Sequence, residues 1–358
     1  MKARVLVAGF ATRHVAQSAY RAGHEVCAVD HFCDQDLSWC TKDREKFSEL
    51  DDLPGAIGRI CGRHRFDLFI PTSGAETLPP PAALCGTPLE TLGRFLDKRE
   101  TQEFFESLDV PVPRLLPEGR YPAMVKPRSG AGGWRNAVIR DDPAMDAWRA
   151  LYGDVPHIRQ EIVDGIPASV CCITDGKRAM ALSANEQILR GSGDSAFGFS
   201  GSVTPFDHPL SGEMIALATR AAAASGCHGT IGIDFVMGSN GPVAIEVNPR
   251  FQGTVDTVEL ATGCNLFSLH RDACSGRLPA QPLTVRQVAA RSILFADRDM
   301  TLHEDLGRFR DFAADIPWPG TFFEEEQAIV SIYGTGLDRG AALAMLDKHI
   351  STVRQYMR

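Results

Sequence analysis

The sequence predicts a mixed α/β and α+β chain built from several units, and three observations carry that prediction. Apolar runs alternate with helical segments through the first ninety residues. A helix-capping sequence at Asp97–Glu100 and a lysine-led glycine-rich turn from Lys126 to Gly133 come next. A hairpin sequence with acidic residues on one face then occupies residues 230–250. At 358 residues the chain is long enough for two or three units sharing a sizeable core.

Composition narrows the classes. A hydrophobic content of 44% with 23% charged residues is ordinary for a soluble enzyme, and a net charge of −8 argues against a general nucleic-acid binder. No apolar run approaches the ~18 residues needed to span a bilayer, and the first strand is too short for a signal-peptide core. The expectation is a cytoplasmic protein with neither a nucleic-acid nor a membrane partner. Ten cysteines include no C-x-x-C pair. Scattered thiols read as buried small hydrophobes in a reducing compartment, and no position stands out as reactive.

In chain order, residues 4–8, 25–30 and 68–71 read as strands, with helices over 15–22 and near 54–63. This is a small parallel unit of the doubly wound kind. Its first turn, Gly9 to His14, lacks the G-x-G-x-x-G pattern, so a structural or substrate-facing turn is a better reading than a dinucleotide site. The prolines at 79–81 and 88 place a boundary near residue 88. Asp97, with Glu100 three positions on, reads as a capping box opening a helix to about Leu108. Strands are expected at 123–126, 137–140 and 157–163, and a hairpin at 169–174 and 178–185 around Asp175-Gly176. The glycine- and serine-rich stretch 191–201 reads as a mobile loop, and 214–225 as an alanine-rich helix. Strands near 285–296 and 328–333 precede a final amphipathic helix over 339–353, capped by Asp338.

The hairpin carries the chemistry. Apolar runs 231–237 and 243–247 flank Gly238-Ser239-Asn240-Gly241. A three-residue loop closed by Gly238 and Pro242 would set Asp234 directly opposite Glu246. Carboxylates opposed at roughly 5 Å destabilise a hairpin unless positive charge lies between them. Asn248 shares the face of Glu246 by strand alternation. Asp234, Glu246 and Asn248 form an all-oxygen set suited to Mg²⁺. A solvated outer face accounts for the same residues, and a one-residue bulge would shift the register and undo the pairing.

Weaker signals accompany it. Lys126 ends an apolar strand and leads a glycine-rich turn whose N–H groups can face a phosphate, although the order is not that of a Walker loop. Lys98 stands at a helix start, where the macrodipole disfavours a cation unless an anion is held there. Residues 160–163 read equally as a nucleotide-facing segment or as a core strand edge.

Taken in order, these pieces resemble the ATP-grasp superfamily. They are Lys98 near a helix start, Lys126 before the glycine-rich loop, Gln160-Glu161-Ile162-Val163, and Asp234-Phe235 followed by Glu246-Val-Asn248-Pro-Arg250. The resemblance covers roughly residues 90–275. The first ninety resemble the Rossmann-like domain that usually precedes an ATP-grasp domain. Residues 315–320 and 331–336 resemble the C-terminal lobe of ATP-grasp carboligases related to the tyramine–glutamate ligase of methanofuran synthesis. The implied architecture is a pre-ATP-grasp domain over 1–88, a two-lobed ATP-grasp domain over 89–275, and a small β-rich lobe over 276–358.

Residue by residue, the resemblance implies that Lys98 and Lys126 contact ATP phosphates, with Lys126 also near the adenine. Ser129, Gly130, Ala131, Gly132 and Gly133 would form a lid over the β- and γ-phosphates. Gln160, Glu161, Ile162 and Val163 would line the adenine pocket. Asp164 would stand in for the family's ribose-binding acid, whose usual place here holds Pro167-Ala168-Ser169. Asp234, Glu246 and Asn248 would hold one or two Mg²⁺ or Mn²⁺ ions. Arg250 would steady the transferred phosphoryl group or a tetrahedral intermediate.

The activity so implied is ATP-dependent carboxylate–amine ligation through an acyl phosphate. Glutamate with a small amine, a role in coenzyme biosynthesis and homodimerisation follow from the resemblance alone. A carboxylase that activates bicarbonate, a kinase that stops at the phosphorylated product, and an ATP-binding regulatory protein without turnover are the competing readings. His228, near the acidic strand, reads as a packed structural histidine rather than a base.

Overall fold

Val5, Leu6, Val7 and Ala8 are fully buried, as a central strand covered on both faces must be. This strand, β1 (Arg4–Ala8), is followed by α1 (Arg13–Arg21), β2 (Glu25–Asp30), α2 (Gln35–Cys40), β3 (Asp43–Lys46), α3 (Leu53–Arg63), β4 (Leu68–Pro71) and β5 (Ala83–Leu84). The five strands pair in parallel in the order β3-β2-β1-β4-β5. The computed structural model describes residues 2–130, 133, 135–191 and 196–357.

Next come α4 (Leu89–Leu96) and α5 (Lys98–Glu106), then β6 (Ala123–Pro127), β7 (Ala137–Ile139), α6 (Asp142–Tyr152) and β8 (His157–Gln160). The three strands form an antiparallel sheet, β7-β6-β8, and α6 packs Met145 and Trp148 onto Val125 and Ile139. This is the smaller lobe.

The larger body starts with β9 (Gly165–Asp175), β10 (Ala179–Leu189), β11 (Phe199–Thr204), α7 (Ser211–Ala224), β12 (His228–Gly238) and β13 (Gly241–Asn248). It continues through α8 (Val255–Thr262), α9 (Leu266–Cys274), β14 (Val288–Phe295), β15 (Met300–Leu302), β16 (Ala313–Ala314), β17 (Thr321–Phe323), β18 (Ala328–Gly336) and α10 (Arg339–Arg354). Eight strands form one sheet in the order β13-β12-β9-β10-β11-β14-β18-β16, so the C-terminal strands extend the sheet begun at residue 165. One face packs through α1, α8 and α9 onto the parallel sheet, with Ile173, Phe251, Val258 and Phe267 meeting Val5, Val7 and Val15. The other face is covered by α4, α5 and α7, where Phe95, Phe105, Met214 and Ala221 meet Val170, Ile231 and Phe235.

A buried ion cluster fastens these parts. The Arg13 guanidinium of α1 makes two hydrogen bonds to Asp256 of α8, at 2.9 and 2.7 Å, and one to Asp315, at 2.9 Å. Tyr333 of β18 donates to Asp256 at 2.7 Å, and Arg291 of β14 reaches Asp315 at 3.0 Å. Every charge in the set has a partner, which burial demands.

Several local expectations change. Helices α2, α4, α6, α8 and α9 were not anticipated, although Asp141 accepts from Ala144 N at 2.9 Å as an ordinary N-cap of α6. Asp97 accepts from Arg99 N and Glu100 N at 2.8 and 3.3 Å, but its remaining capacity goes to Arg128 at 2.8 Å, so it caps α5 without a reciprocal box. Residues 199–201, read as loop, begin strand β11, while 192–195 lie outside the described residues. Among the described residues no helix is long and apolar enough to cross a membrane.

Candidate active site

Asp234 stands opposite Glu246, by a route the sequence did not suggest. Gly238 pairs with Gly241, closing a two-residue turn instead of a three-residue loop. On that register Phe235 faces Ala244, and Asp234 would face Ile245. A bulge between Asp234 and Phe235 shifts the ladder by one residue and restores the Asp234–Glu246 pair, with Gly232 opposite Asn248. Bulges of this kind re-aim side chains, and this one sends Glu246 to the acidic face.

Three amides then converge on one carboxylate. Gln187 Nε2 and Gln252 Nε2 donate to Asp234 Oδ1 at 2.9 and 3.2 Å, and Asn248 Nδ2 donates to Oδ2 at 2.9 Å. Burial and the facing Glu246 push the Asp234 carboxyl up to about 7, against the pull of those hydrogen bonds. Gly232 makes the Gln252 contact possible: a Cβ there would lie 1.6 Å from Gln252 Cδ.

Lys126, the fourth residue of β6, is 7% exposed. Burial lowers its ammonium to about 8; Glu246 opposes the shift and Lys98 adds to it. Lys98 Nζ donates to Gly130 O at 2.7 Å, and Lys98 N donates to Arg128 O at 2.8 Å, so the start of α5 is bonded to the glycine-rich loop. That loop in turn lies against the 191–201 segment: a Cβ on Gly133, at φ +72°, would sit 2.5 Å from Phe197 O. Arg250 leaves the end of β13 and donates from Nε to Glu76 Oε1 at 2.6 Å.

A cleft of about 430 Å³ lies between the two lobes and gathers these groups. Lys126, Gly133, Gln160, Glu161, Val163, Asp234, Glu246, Asn248 and Arg250 all line it. Met124, Leu189, Val236 and Ile245 supply apolar walls, joined by Phe197, which lies against Gly133, and Phe199, which lies against Gly253. An apolar slot at one end, with a lysine and an oxygen-rich wall at the other, suits a planar base carrying an anionic chain.

Residues 95–254 match the family described as the ATP-grasp domain. Among curated relatives, the carbamoyl phosphate synthase large chain of Thermomicrobium roseum is 25% identical over 65% of this chain, which spans 23% of that protein. An uncharacterised protein of Methanocaldococcus jannaschii is 23% identical over 92% of this chain and 87% of its own length. In fold, the chain is similar to the biotin carboxylase domain of Hydrogenobacter thermophilus 2-oxoglutarate carboxylase, solved with MgADP and bicarbonate (TM-score 0.79, 14% identity, 98% of this chain and 90% of that one). It is also similar to the L-amino acid ligase of Bacillus licheniformis (TM-score 0.74, 16% identity, 98% and 97%). Both likenesses run nearly the full length, so the parallel domain, the two ATP-grasp lobes and the C-terminal β-rich lobe form one multi-lobe ATP-grasp fold.

Within the matched residues, the remaining sequence expectations fall in different places. Ile162 does not line the cleft between its neighbours Glu161 and Val163. Asp164 is exposed and lies outside the lining. Glu161 N donates to Arg114 O at 2.8 Å and its carboxylate pairs with Arg114 at 2.9 Å, so neither is free to read a base. Lys98, Ser129 and Gly130 stand at the rim rather than in the lining, and Ala131 and Gly132 lie outside the described residues. His228 also lies outside the cleft, its ring against Gly176.

Sequence reasoning missed Glu76, Gln187, Gln252 and Thr254. Only Gly232, a glycine inside a strand, hinted at a close side-chain approach. Gln160 Oε1, Gln252 Oε1 and Thr254 Oγ1 are buried without a partner among the described residues, and all three residues line the cleft. Unpaired polar atoms on a cleft wall are the mark of a surface shaped for a polar ligand.

Proposed function

We propose that this chain is an ATP-dependent carboxylate–amine ligase that works through an acyl phosphate. The observation that carries the reading is the β13 bulge, which sets Glu246 opposite Asp234 in the same cleft as buried Lys126. A strand ladder gains nothing from two facing carboxylates, so the arrangement is explained by a cation between them.

The residues fit Mg²⁺ or Mn²⁺. Asn248 directs its amide nitrogen to Asp234 and so keeps its carbonyl oxygen for the cleft, beside the carboxylate oxygens of Asp234 and Glu246. The ion would supply neutralisation of phosphate charge. The chain's own groups do the rest. Lys126 faces the phosphate chain, and Gly130 and Gly133, with Lys98 holding Gly130, form the covering loop. The apolar slot at Met124 and Val163 takes the base. Arg250, gripped on one edge by Glu76, offers its other edge to the group that accepts the phosphoryl. A substrate carboxylate attacks the γ-phosphorus in line, ADP leaves, and an amine displaces phosphate from the acyl carbon. Closing the two lobes shields the acyl phosphate from water.

In this reading the pre-ATP-grasp part ends near residue 88 and the C-terminal lobe begins near 276. The carboxylate substrate is of the glutamate type, its acceptor is a small amine, and the working unit is a homodimer. Kinship to tyramine–glutamate ligase and a place in coenzyme biosynthesis belong to the same proposal.

Glu246→Gln tests it. Mg²⁺-dependent ADP formation should be lost while the folded protein keeps or raises its thermal midpoint without metal, because a like-charge repulsion has been removed. Normal turnover in the variant would sink the metal-site assignment.

A further inference from the structure

Cys85 lies in the linker between the parallel sheet and α4, and Cys274 ends α9. Their sulfurs and a ring nitrogen of His270 lie within 4.8 Å of one another. Cys85 is 3% exposed and Cys274 is half-buried.

Two cysteines and a histidine invite a metal reading, and His270 argues against it. Its Nδ1 accepts from Thr230 N at 2.8 Å, and its Nε2 lies 3.0 Å from Cys85 O as a donor. The ring also stacks on Phe251 at 4.4 Å. A neutral ring committed at both nitrogens has no lone pair left for a metal. Two thiolates alone fall short of the four ligands of a structural zinc. What remains is a buried pair of thiols.

The pair differs from the other cysteines. Burial pushes the remaining eight thiols up. Cys85 alone is held below its ordinary value, first by the adjacent Cys274 thiol, with the Arg271 guanidinium adding to it. The thiolate is the nucleophile in sulfur oxidation, so one sulfur of the pair is activated and the other is in place to resolve it.

We propose that Cys85 and Cys274 form a reversible disulfide, closed by a hydroperoxide and reopened by a thiol reductant. The Cys85 thiolate attacks one peroxide oxygen, the O–O bond breaks, and hydroxide leaves, giving a sulfenic acid. Cys274 sulfur then attacks Cys85 sulfur; the S–O bond breaks, and the departing hydroxide takes the Cys274 proton as water. Both sulfurs are oxidised by one electron each and the peroxide is reduced. The sulfurs close to a bond of about 2.05 Å by side-chain rotation. The closed pair ties the linker to α9 beneath the end of β13. There, Thr87 Oγ1 donates to Pro249 O at 3.1 Å, and Phe251, next to Arg250, rests on His270.

Mass mapping of the full-length protein tests this without any variant. Reduced protein is treated with equimolar hydrogen peroxide, alkylated and digested. A Cys85–Cys274 linked peptide, removed by dithiothreitol, with the other eight cysteines still alkylated, is the expected result. In Cys274→Ser, Cys85 should instead accumulate a dimedone-reactive sulfenic acid. Equal oxidation of all ten thiols, no linked peptide in folded protein, or stoichiometric zinc lost in Cys274→Ser would overturn it. The activity arm rests on the ligase reading: crosslinked protein should form ADP several-fold more slowly, with recovery on reduction. Unchanged turnover in crosslinked protein would refute the link to Arg250. Absence of turnover in every state would count against the ligase reading and leave the peptide map to decide the disulfide.

Discussion

Arg250 Nε donates to Glu76 Oε1 at 2.6 Å, joining the end of β13 to the loop after β4 of the parallel domain. Both side chains are largely buried, at 15% and 13% exposure, and Glu76 Oε2 is itself held by Gly74 N at 2.6 Å. Arg250 Nη1 reaches Phe251 O at 3.3 Å. A guanidinium fixed along one edge keeps its remaining N–H groups aimed at the cleft.

Glu76→Gln should therefore act on the chemical step. The expected outcome is kcat lower by about tenfold, close to 1.4 kcal/mol of transition-state stabilisation, with KM for ATP nearly unchanged. Steady-state kinetics on the purified variant would show it. A full wild-type kcat would mean that Arg250 needs no support from the parallel domain.

Gly232→Ala places a methyl group where Gln252 crosses the strand, 1.6 Å from its Cδ. The side chain must leave and Asp234 loses a donor, at a cost of about 1–3 kcal/mol. The urea midpoint should fall at constant m-value. Gly93→Ala within α4, where a new Cβ meets nothing within 4 Å, should be neutral or stabilising. Equal midpoints for the two variants would contradict the packing described.

The acidic wall sets a pH signature. Asp234 is raised from 3.8 to about 7 in the folded chain, so metal-free protein loses stability as pH climbs through that window and the unfolded state releases its proton first. Mg²⁺ should cancel that loss, giving a larger thermal shift on adding Mg²⁺ at pH 8 than at pH 6. Lys126 runs the other way for binding: lowered to about 8, it discharges above that pH, and affinity for ATP should fall there. A thermal shift on Mg²⁺ addition that does not change with pH would contradict the assignment of Asp234.

Much of this architecture was legible because its signals are local. The buried run at β1 and the caps at Asp97 and Asp338 are read from neighbours in sequence, and all three sit at the expected positions. The hairpin shows the limit. A two-residue turn plus a bulge gives the same Asp234–Glu246 pair as a three-residue loop without one, and the sequence contains no term that separates them. Glu76, Gln187 and Gln252 reach the site from three elements far apart in the chain, and a lone Glu or Gln carries no periodicity to announce itself. The thiol pair is hidden for the same reason, Cys85 and Cys274 being 189 positions apart. The extension of the large sheet by β14, β18 and β16 likewise depends on strand pairing between distant segments, which local patterning does not encode.

The central claim is that a substrate carboxylate is activated as an acyl phosphate at the Asp234–Glu246 wall. Its most direct measurement is ADP release over a panel of carboxylates, with Mg²⁺ and hydroxylamine present as trap. One or a few carboxylates, glutamate-type compounds among them, should yield ADP and hydroxamate in equal amounts. ADP that depends on bicarbonate alone, ADP without hydroxamate, or no ADP with any carboxylate would contradict it.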